Sequence, residues 1–535
     1  MDILFFIITM TLFAGVFIFL GYLGYRKTKT AEDYFIAGRK MGALVIAFSY
    51  GATFISAVAL IGFSGIASVY GLSILWLAFL NIFVGIFIAF IVYGFRTRKM
   101  GLSLKAMTLP ELLGNRFHSV KLQQTSGLII GIFMVAYTSA VFLAIASLFQ
   151  ISFGIPYWLC VVLFTLIVGI YLIVGGSYAV MWTHAVQGIV MLVGMIILTV
   201  GVYAMLGGIS PANEAAAALT PEMLQSIGSP AATQAPNGLT SIPPILSPPF
   251  MMILTLIFGV GIGVLAQPQL ISRYLTAKND KALRLAIPYG GIFILLMTFT
   301  AFSIGPLCNV LLYQKGIMYP TMESGGVLVA NPDAVVPTII NNMFPQWFIV
   351  IFLFAILAAA MSTAAALFQT AGAAIGRDVY EKSMKKKSSP KKSIFITRVA
   401  TIGIVIATLI ITLNPIDVVA FMTSFFFGLM ACTFLAPYTL MLYWKKTNRI
   451  GAWIGMLGGF FFTIAWYILI YFKTAPKIIG TPLIGEYTLN MLDPIFIGLP
   501  LSFLLTILFS CITKQDKDEE DIMKKSFNAL KELEE

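Results

Sequence analysis

Thirteen long apolar runs recur along the chain, at 3–24, 43–68, 72–95, 122–150, 155–175, 180–205, 249–267, 286–310, 346–374, 394–413, 418–443, 451–472 and 495–513. They are called spans 1 to 13 below. Most match the roughly 20 residues that a helix needs to cross a hydrocarbon layer of about 30 Å. Inside such a layer only a helix or a closed barrel satisfies its own backbone. The pattern therefore predicts an all-α polytopic membrane protein. Span 1 has no basic segment before it and no small-residue cleavage site after it, so it reads as a retained span.

The connections between the runs are not alike. One alternate set holds 31 of the 34 lysines and arginines; the opposite set holds Lys315, Lys473 and Lys477. Basic residues accumulate on the cytoplasmic side of membrane proteins. The count predicts an amino terminus outside, a carboxyl terminus in the cytoplasm and an odd number of spans in a cell membrane. It also accounts for the net charge of +12 without a nucleic-acid partner. The expected layout is one transmembrane domain over 1–513, with a leading helix and loop (1–42), two five-span units (43–205 and 249–443) and two trailing helices (451–513). The connection 206–248, rich in Ala, Pro, Ser and Gly and free of Lys and Arg, reads as a mobile external loop. The basic run SMKKKSSPKKS reads as a lipid-facing anchor, and the tail 514–535 as a solvated helix. Cys160, Cys308, Cys432 and Cys511 all fall in apolar segments and read as packing residues.

Hydrophobic residues make up 59% of the chain and charged residues 10%, and few of the charges fall inside spans. No His, Cys or carboxylate cluster has metal-ligand spacing, and no phosphate-binding glycine loop is present, which argues against a hydrolase or an ATP-driven pump. No obligatory protein partner is evident. Any transported ion must then be held by neutral oxygens and helix ends. Three stretches offer them. Span 2 combines Gly51, Gly62, Gly65 and Gly71 with hydroxyls at Ser49, Thr53, Ser56 and Ser64. Glycine lowers the cost of breaking a helix there, although close helix packing would use the same residues. Span 7 carries GVGIGVLAQPQL, where alternating glycines and Pro268 predict an interruption. Span 9 carries AAAMSTAAAL, whose Ser362 and Thr363 either bond back to their own helix or face a partner. Spans 2 and 7 open five-span units of opposite orientation, and interrupted helices at matching positions of inverted halves point to a midplane substrate site.

Seven segments in order resemble the sodium:solute symporters: AEDYFIAGR (31–39), GFSGIASVYG (62–71), TLPELLGNRF (108–117), GGSYAVMWTHAVQG (175–188), QPQLISRYLTAKN (267–279), AAAMSTAAALFQTAGAAIGRDVYEK (358–382) and APYTLMLYWKKTNRIGAWIGMLGG (436–459). The resemblance implies a leucine-transporter-type fold with five-plus-five inverted repeats and broken spans 2 and 7. It implies Na⁺ as coupling ion, held by Ala52 and Ile55 of span 2 and by Ala359, Ser362 and Thr363 of span 9. It also implies a solute site between spans 2 and 7 that draws on Thr53, Phe54, Ser56, Ala59, Gly261, Gly263 and Gln267.

The departures from the family pattern narrow the solute. Sugar carriers place polar side chains where Val58, Ala59 and Leu60 stand, and an aromatic gate where Gly261 to Val264 stand. Proline carriers have an aspartate at Phe54. A small, mostly apolar pocket remains, suited to a monocarboxylate or similar organic acid bound against a helix end and a nearby Na⁺. Many relatives carry an acid where His184 stands, at the inner end of the ion path; the histidine suits a gating or ion-exit role. The expected function is sodium-coupled import by alternating access. A proton-coupled symporter that uses His184, and a carrier of proline or pantothenate, are the alternatives.

Overall fold

In the computed structural model the described residues are 3–231, 237–324, 327–384, 389–413, 419–485, 487–531 and 533. Residues 385–388, the middle of the basic run expected at the lipid surface, lie outside them, as do 232–236 of the long connection. Among the described residues, ten helices are long and apolar enough to cross a membrane, and Ala43–Phe54 and Tyr157–Gly169 are shorter apolar helices. Spans 5 and 6 form one helical run, Tyr157–Met205, turned at Gly176 with φ 62°.

Both expected interruptions exist, and both lie off the glycines. Span 2 is a helix over Ala43–Phe54, extended at Ile55 (φ −84°, ψ 101°), and helical again from Val58 to Tyr70 through a wide first turn. The glycines of this span serve contact instead: a Cβ on Gly51 would lie 2.4 Å from the Phe293 ring, and one on Gly65 2.4 Å from the Pro332 carbonyl oxygen. Span 7 runs as Pro248–Gly263, tightens over Val264–Ala266, extends at Gln267 and restarts at Pro268–Thr276. Proline at the first helical position explains the restart, since its missing N–H would have had no partner there.

Span 9 (Gln346–Ala373) is the centre of the bundle. It packs on spans 5–6, on span 4 (Val120–Phe153), on span 10 and on the first half of span 2. Every residue from Ala355 to Phe368 is buried. Small residues permit this close enclosure: a Cβ on Gly194 of span 6 would come 2.6 Å from the Ala355 Cβ.

Several peripheral expectations need correction. The 206–248 connection, expected to be mobile, contains helices Ile209–Ala217 and Pro221–Ser226. Thr220 caps the second through the Met223 N–H, and Ala212, Ala216, Leu224 and Leu239 are buried. Alanines one turn apart give a smooth face that packs despite low hydrophobicity. The tail, expected to be solvated, forms helix Lys517–Lys531 with Glu519, Ser526, Phe527 and Leu530 buried. Its Glu519 accepts from the Arg449 N–H at 2.5 Å, and burial pushes the Glu519 carboxyl above its usual range. The all-α class holds, with one small addition: Thr321–Ser324 and Val327–Ala330 pair antiparallel as a hairpin. Of the cysteines, Cys160, Cys308 and Cys432 are buried, whereas Cys511 is exposed.

Candidate functional site

At the interruption of span 2 the first half-helix ends with Ile55 N–H donating to the Gly51 carbonyl at 2.7 Å. The Ser56 hydroxyl accepts from Val58 N–H at 3.1 Å, and the Ser56 carbonyl accepts from Ala59 N–H at 3.0 Å. One serine thus starts the second half, so no glycine is required. The last carbonyls of any helix lack partners in their own helix. Here those of Ala52 and Thr53 point to span 9. Ser362 Oγ donates to the Ala52 oxygen at 2.7 Å and lies 2.9 Å from that of Ala359. Thr363 Oγ1 lies 3.4 Å from the Ala52 oxygen and 3.2 Å from that of Thr53.

The arrangement is rich in lone pairs and poor in hydrogens. A hydroxyl has one hydrogen and two lone pairs, so two hydrogens are shared among three carbonyls. A hard cation prefers several oxygen ligands, and the end of a half-helix carries partial negative charge. The oxygens present fit Na⁺ in kind. Of the five residues implied as ligands, the structure brings together Ala52, Ala359, Ser362 and Thr363. Ile55 is buried, but among the described residues no hydrogen bond joins it to span 9. The Thr53 carbonyl is the group that sequence reasoning missed.

The Thr53 side chain turns the other way, into a second polar cluster, and does not line the cavity between spans 2 and 7. Its Oγ1 accepts from an Arg273 terminal nitrogen at 3.1 Å and lies 3.2 Å from His184 Nδ1. Ser49 Oγ, one turn earlier, is also 3.2 Å from His184 Nδ1. The second terminal nitrogen of Arg273 meets Met181 Sδ at 3.3 Å. His184 and Arg273 are both buried. The arginine was absent from the sequence inventory because it follows Pro268, where the apolar run was taken to end. The signal was present: Ile271, Tyr274 and Leu275 flank Arg273 and continue a buried helix face.

The cavity between the two interrupted spans is narrow, about 20 Å³, or room for a water molecule. Phe54, Ser56 and Ala59 line it as expected, together with Ile55, Val260, Phe302 and Phe427. Three polar residues not foreseen, Asn81, Tyr137 and Thr423, also line it. The Asn81 side-chain oxygen is buried without a hydrogen-bond partner. Gly261, Gly263 and Gln267 do not line the cavity. A Cβ on Gly261 would press on Leu80 at 2.9 Å and one on Gly263 on the Phe427 carbonyl oxygen at 2.8 Å, so these glycines serve packing. Gln267 bonds the Gly263 carbonyl at 3.0 Å and receives Gln269 at 3.2 Å.

Comparison with known proteins gives consistent results. The profile of the sodium:solute symporter family matches residues 34–459. An osmoregulated proline transporter of Bacillus subtilis, OpuE, is 28% identical over 512 residues and is covered to 95%, as is this chain. A sodium/pantothenate symporter of Haemophilus influenzae is 27% identical over 454 residues, 85% of this chain and 87% of that one. A Na⁺-coupled sialic acid symporter, solved substrate-bound and outward-open, superposes with a TM-score of 0.73 at 17% identity, over 95% of this chain and 97% of that one. At that identity the likeness is one of fold.

Proposed function

The chain belongs to the sodium:solute symporter family, a family of membrane transporters and not of enzymes, and on that premise we propose that it imports a small monocarboxylate or similar organic acid together with Na⁺. Sodium-coupled transport of a small solute follows from membership. The observation that carries the siting of the ion is the meeting of the Ser362 and Thr363 hydroxyls with the Ala52 and Thr53 carbonyls. We place Na⁺ among those four groups and the Ala359 carbonyl, with Ile55 outside the set.

The solute class rests on the cavity. Its walls are mostly apolar, and its polar groups are Ser56, Asn81, Tyr137 and Thr423. The second half of span 2 begins there, and the start of a helix carries partial positive charge that suits a carboxylate. A cavity this narrow admits a solute only when spans 2 and 7 part, as alternating access requires. In the reading we adopt, the cytoplasmic side is the rim that holds most lysines and arginines, so Na⁺ enters from the opposite face. Its charge is worth about 2.3 kcal/mol per 100 mV.

The named relatives favour a second reading within this class, transport of proline or pantothenate, both of which carry a carboxylate. Phe54 on the cavity wall makes the monocarboxylate the better fit. Proton coupling through His184 fits less well, because a proton on the imidazole would sit against the Arg273 guanidinium across the shared Thr53 hydroxyl. The test is uptake of labelled short-chain monocarboxylates, proline and pantothenate into proteoliposomes under imposed Na⁺ or pH gradients. Accumulation of a monocarboxylate driven by Na⁺ alone is expected. Uptake indifferent to Na⁺ would sink the reading, and accumulation of proline alone would replace the solute.

A further inference from the structure

Arg273 is a buried cation without a counter-charge. It is 2% exposed, and none of the ion pairs among the described residues includes it. Two other arginines are paired: Arg98 with Asp280 at 2.6 Å and the half-buried Arg377 with Glu111 at 2.9 Å. Arg116, also buried, has guanidinium nitrogens without hydrogen-bond partners, but it lies against the Phe117 and Phe527 rings with Glu519 near enough to favour its charge. Arg273 has a hydroxyl and a thioether, and its Nε is buried with no partner. An uncompensated charge in such a place is costly.

The hydrogens around it have a direction. A guanidinium only donates, so Thr53 Oγ1 accepts from Arg273 and its own hydrogen is left for His184 Nδ1. With Nδ1 accepting, the imidazole hydrogen sits on Nε2, and that atom is buried without a partner. Gln187, one turn further along span 6, has both ends of its amide buried and unpartnered. Arg273 and His184 thus leave N–H groups unanswered, and among the described residues no carboxylate pairs with either.

We propose that Arg273, with the Nε2 hydrogen of His184 and the amide hydrogens of Gln187, holds a small monovalent anion, a halide or a carboxylate, that enters when the site opens in the transport cycle. Because the Thr53 carbonyl faces the cation cluster while its hydroxyl faces Arg273, an anion there relieves repulsion between the guanidinium and an arriving cation. For a carboxylate that belongs to the solute, the assignment rests on the organic-acid reading above; for a free halide it does not.

The test is thermal unfolding of the purified full-length protein at fixed Na⁺ and ionic strength, with the bulky sulfonate MES replaced stepwise by chloride or by acetate. A ligand of the folded state raises the midpoint saturably. Stabilisation by chloride identifies a free halide; stabilisation by acetate alone identifies the carboxylate of a solute. Arg273→Gln should raise the half-saturating anion concentration at least tenfold. His184→Asp, which sets a carboxylate against the guanidinium, should match the anion-loaded wild type in MES and gain nothing from either anion. This second variant decides the matter if Arg273→Gln fails to fold. Equal midpoints in MES, chloride and acetate for the wild type would overturn the proposal, as would an undiminished anion response in His184→Asp. Titrating Na⁺ at fixed chloride keeps the readings apart: loss of the Na⁺ response alone removes the sodium site and leaves the anion site standing.

Discussion

Ser362 sits 2.7 Å from the Ala52 oxygen and 2.9 Å from that of Ala359, while Thr363 reaches the next carbonyl of span 2. Ser362→Ala removes one oxygen from the cluster and leaves the Ala52 carbonyl only the longer approach of Thr363 at 3.4 Å. The half-saturating Na⁺ concentration should rise about tenfold, a loss of about 1.4 kcal/mol. Thr363→Ser keeps the oxygen and should stay within about threefold. Na⁺-dependent uptake or a Na⁺ titration of the unfolding midpoint reads both. That Ala52, Ala359, Ser362 and Thr363 would lie together was legible in the sequence, because the hydroxyl pair and its alanine flanks form a recognisable motif. The orientation of Thr53 was not, since an interrupted helix hides which way its last turn faces. Arg273 was missed for a related reason: counting charges by connection assigns a residue after Pro268 to a loop, although the chain resumes as a buried helix.

At the scale of elements, the interruptions themselves could be read from sequence, but their mechanism could not. Glycine was expected to make the break in span 2, and glycines with Pro268 the one in span 7. The breaks fall at Ile55–Ser56 and at Gln267–Pro268, so the proline acts as expected while the glycines bring helices together. The clearest case joins the two trailing helices, Arg449–Leu469 and Ile495–Ile512. Gly451, Gly455 and Gly459 on one face Ser502, Thr506 and Ser510 on the other. A Cβ on Gly455 would fall 1.8 Å from Thr506 Oγ1 and 2.9 Å from the Ser502 oxygen, and one on Gly459 would fall 1.9 Å from the Cys432 oxygen. Small residues spaced by four are how membrane helices approach closely. Gly455→Ala should therefore destabilise by about 1–3 kcal/mol through overpacking. Gly403 in Pro390–Thr412 has nothing within 4 Å of its Cβ position, so Gly403→Ala should be neutral or raise the midpoint slightly. Unfolding midpoints in the same detergent compare the pair; equal losses would contradict the packing account.

Across the whole molecule, one rim of the bundle is closed by arginines that donate to backbone carbonyls. Arg39 reaches the Ala106 oxygen at 2.8 Å and that of Leu275 at 3.4 Å. Arg98 spans Ala277, Lys278 and Asp280 at 3.1, 2.9 and 2.6 Å. Met41 and Lys278 add a backbone bridge between the loops after spans 1 and 7. The membrane class was legible in the sequence, and the arginines of this rim belong to the basic-rich set of connections read there. The docking of the tail and of the 206–248 connection was not, because Phe527, Leu530 and a few alanines are too weak a hydrophobic signal to stand out beside the spans.

The arginine rim acts at two different times. In the orientation proposed above, these residues are free charges during insertion that resist translocation and set which way the chain faces; after folding the same groups are spent as staples between loops. The first task needs only charge and the second needs a planar fork, so one substitution separates them. Arg98→Lys should leave the carboxyl-terminal side of the protein unchanged in a reporter-fusion assay, yet lower the unfolding midpoint by a loss of about 1–3 kcal/mol. The proposed topology is thus written in residues that the finished structure reuses for another purpose.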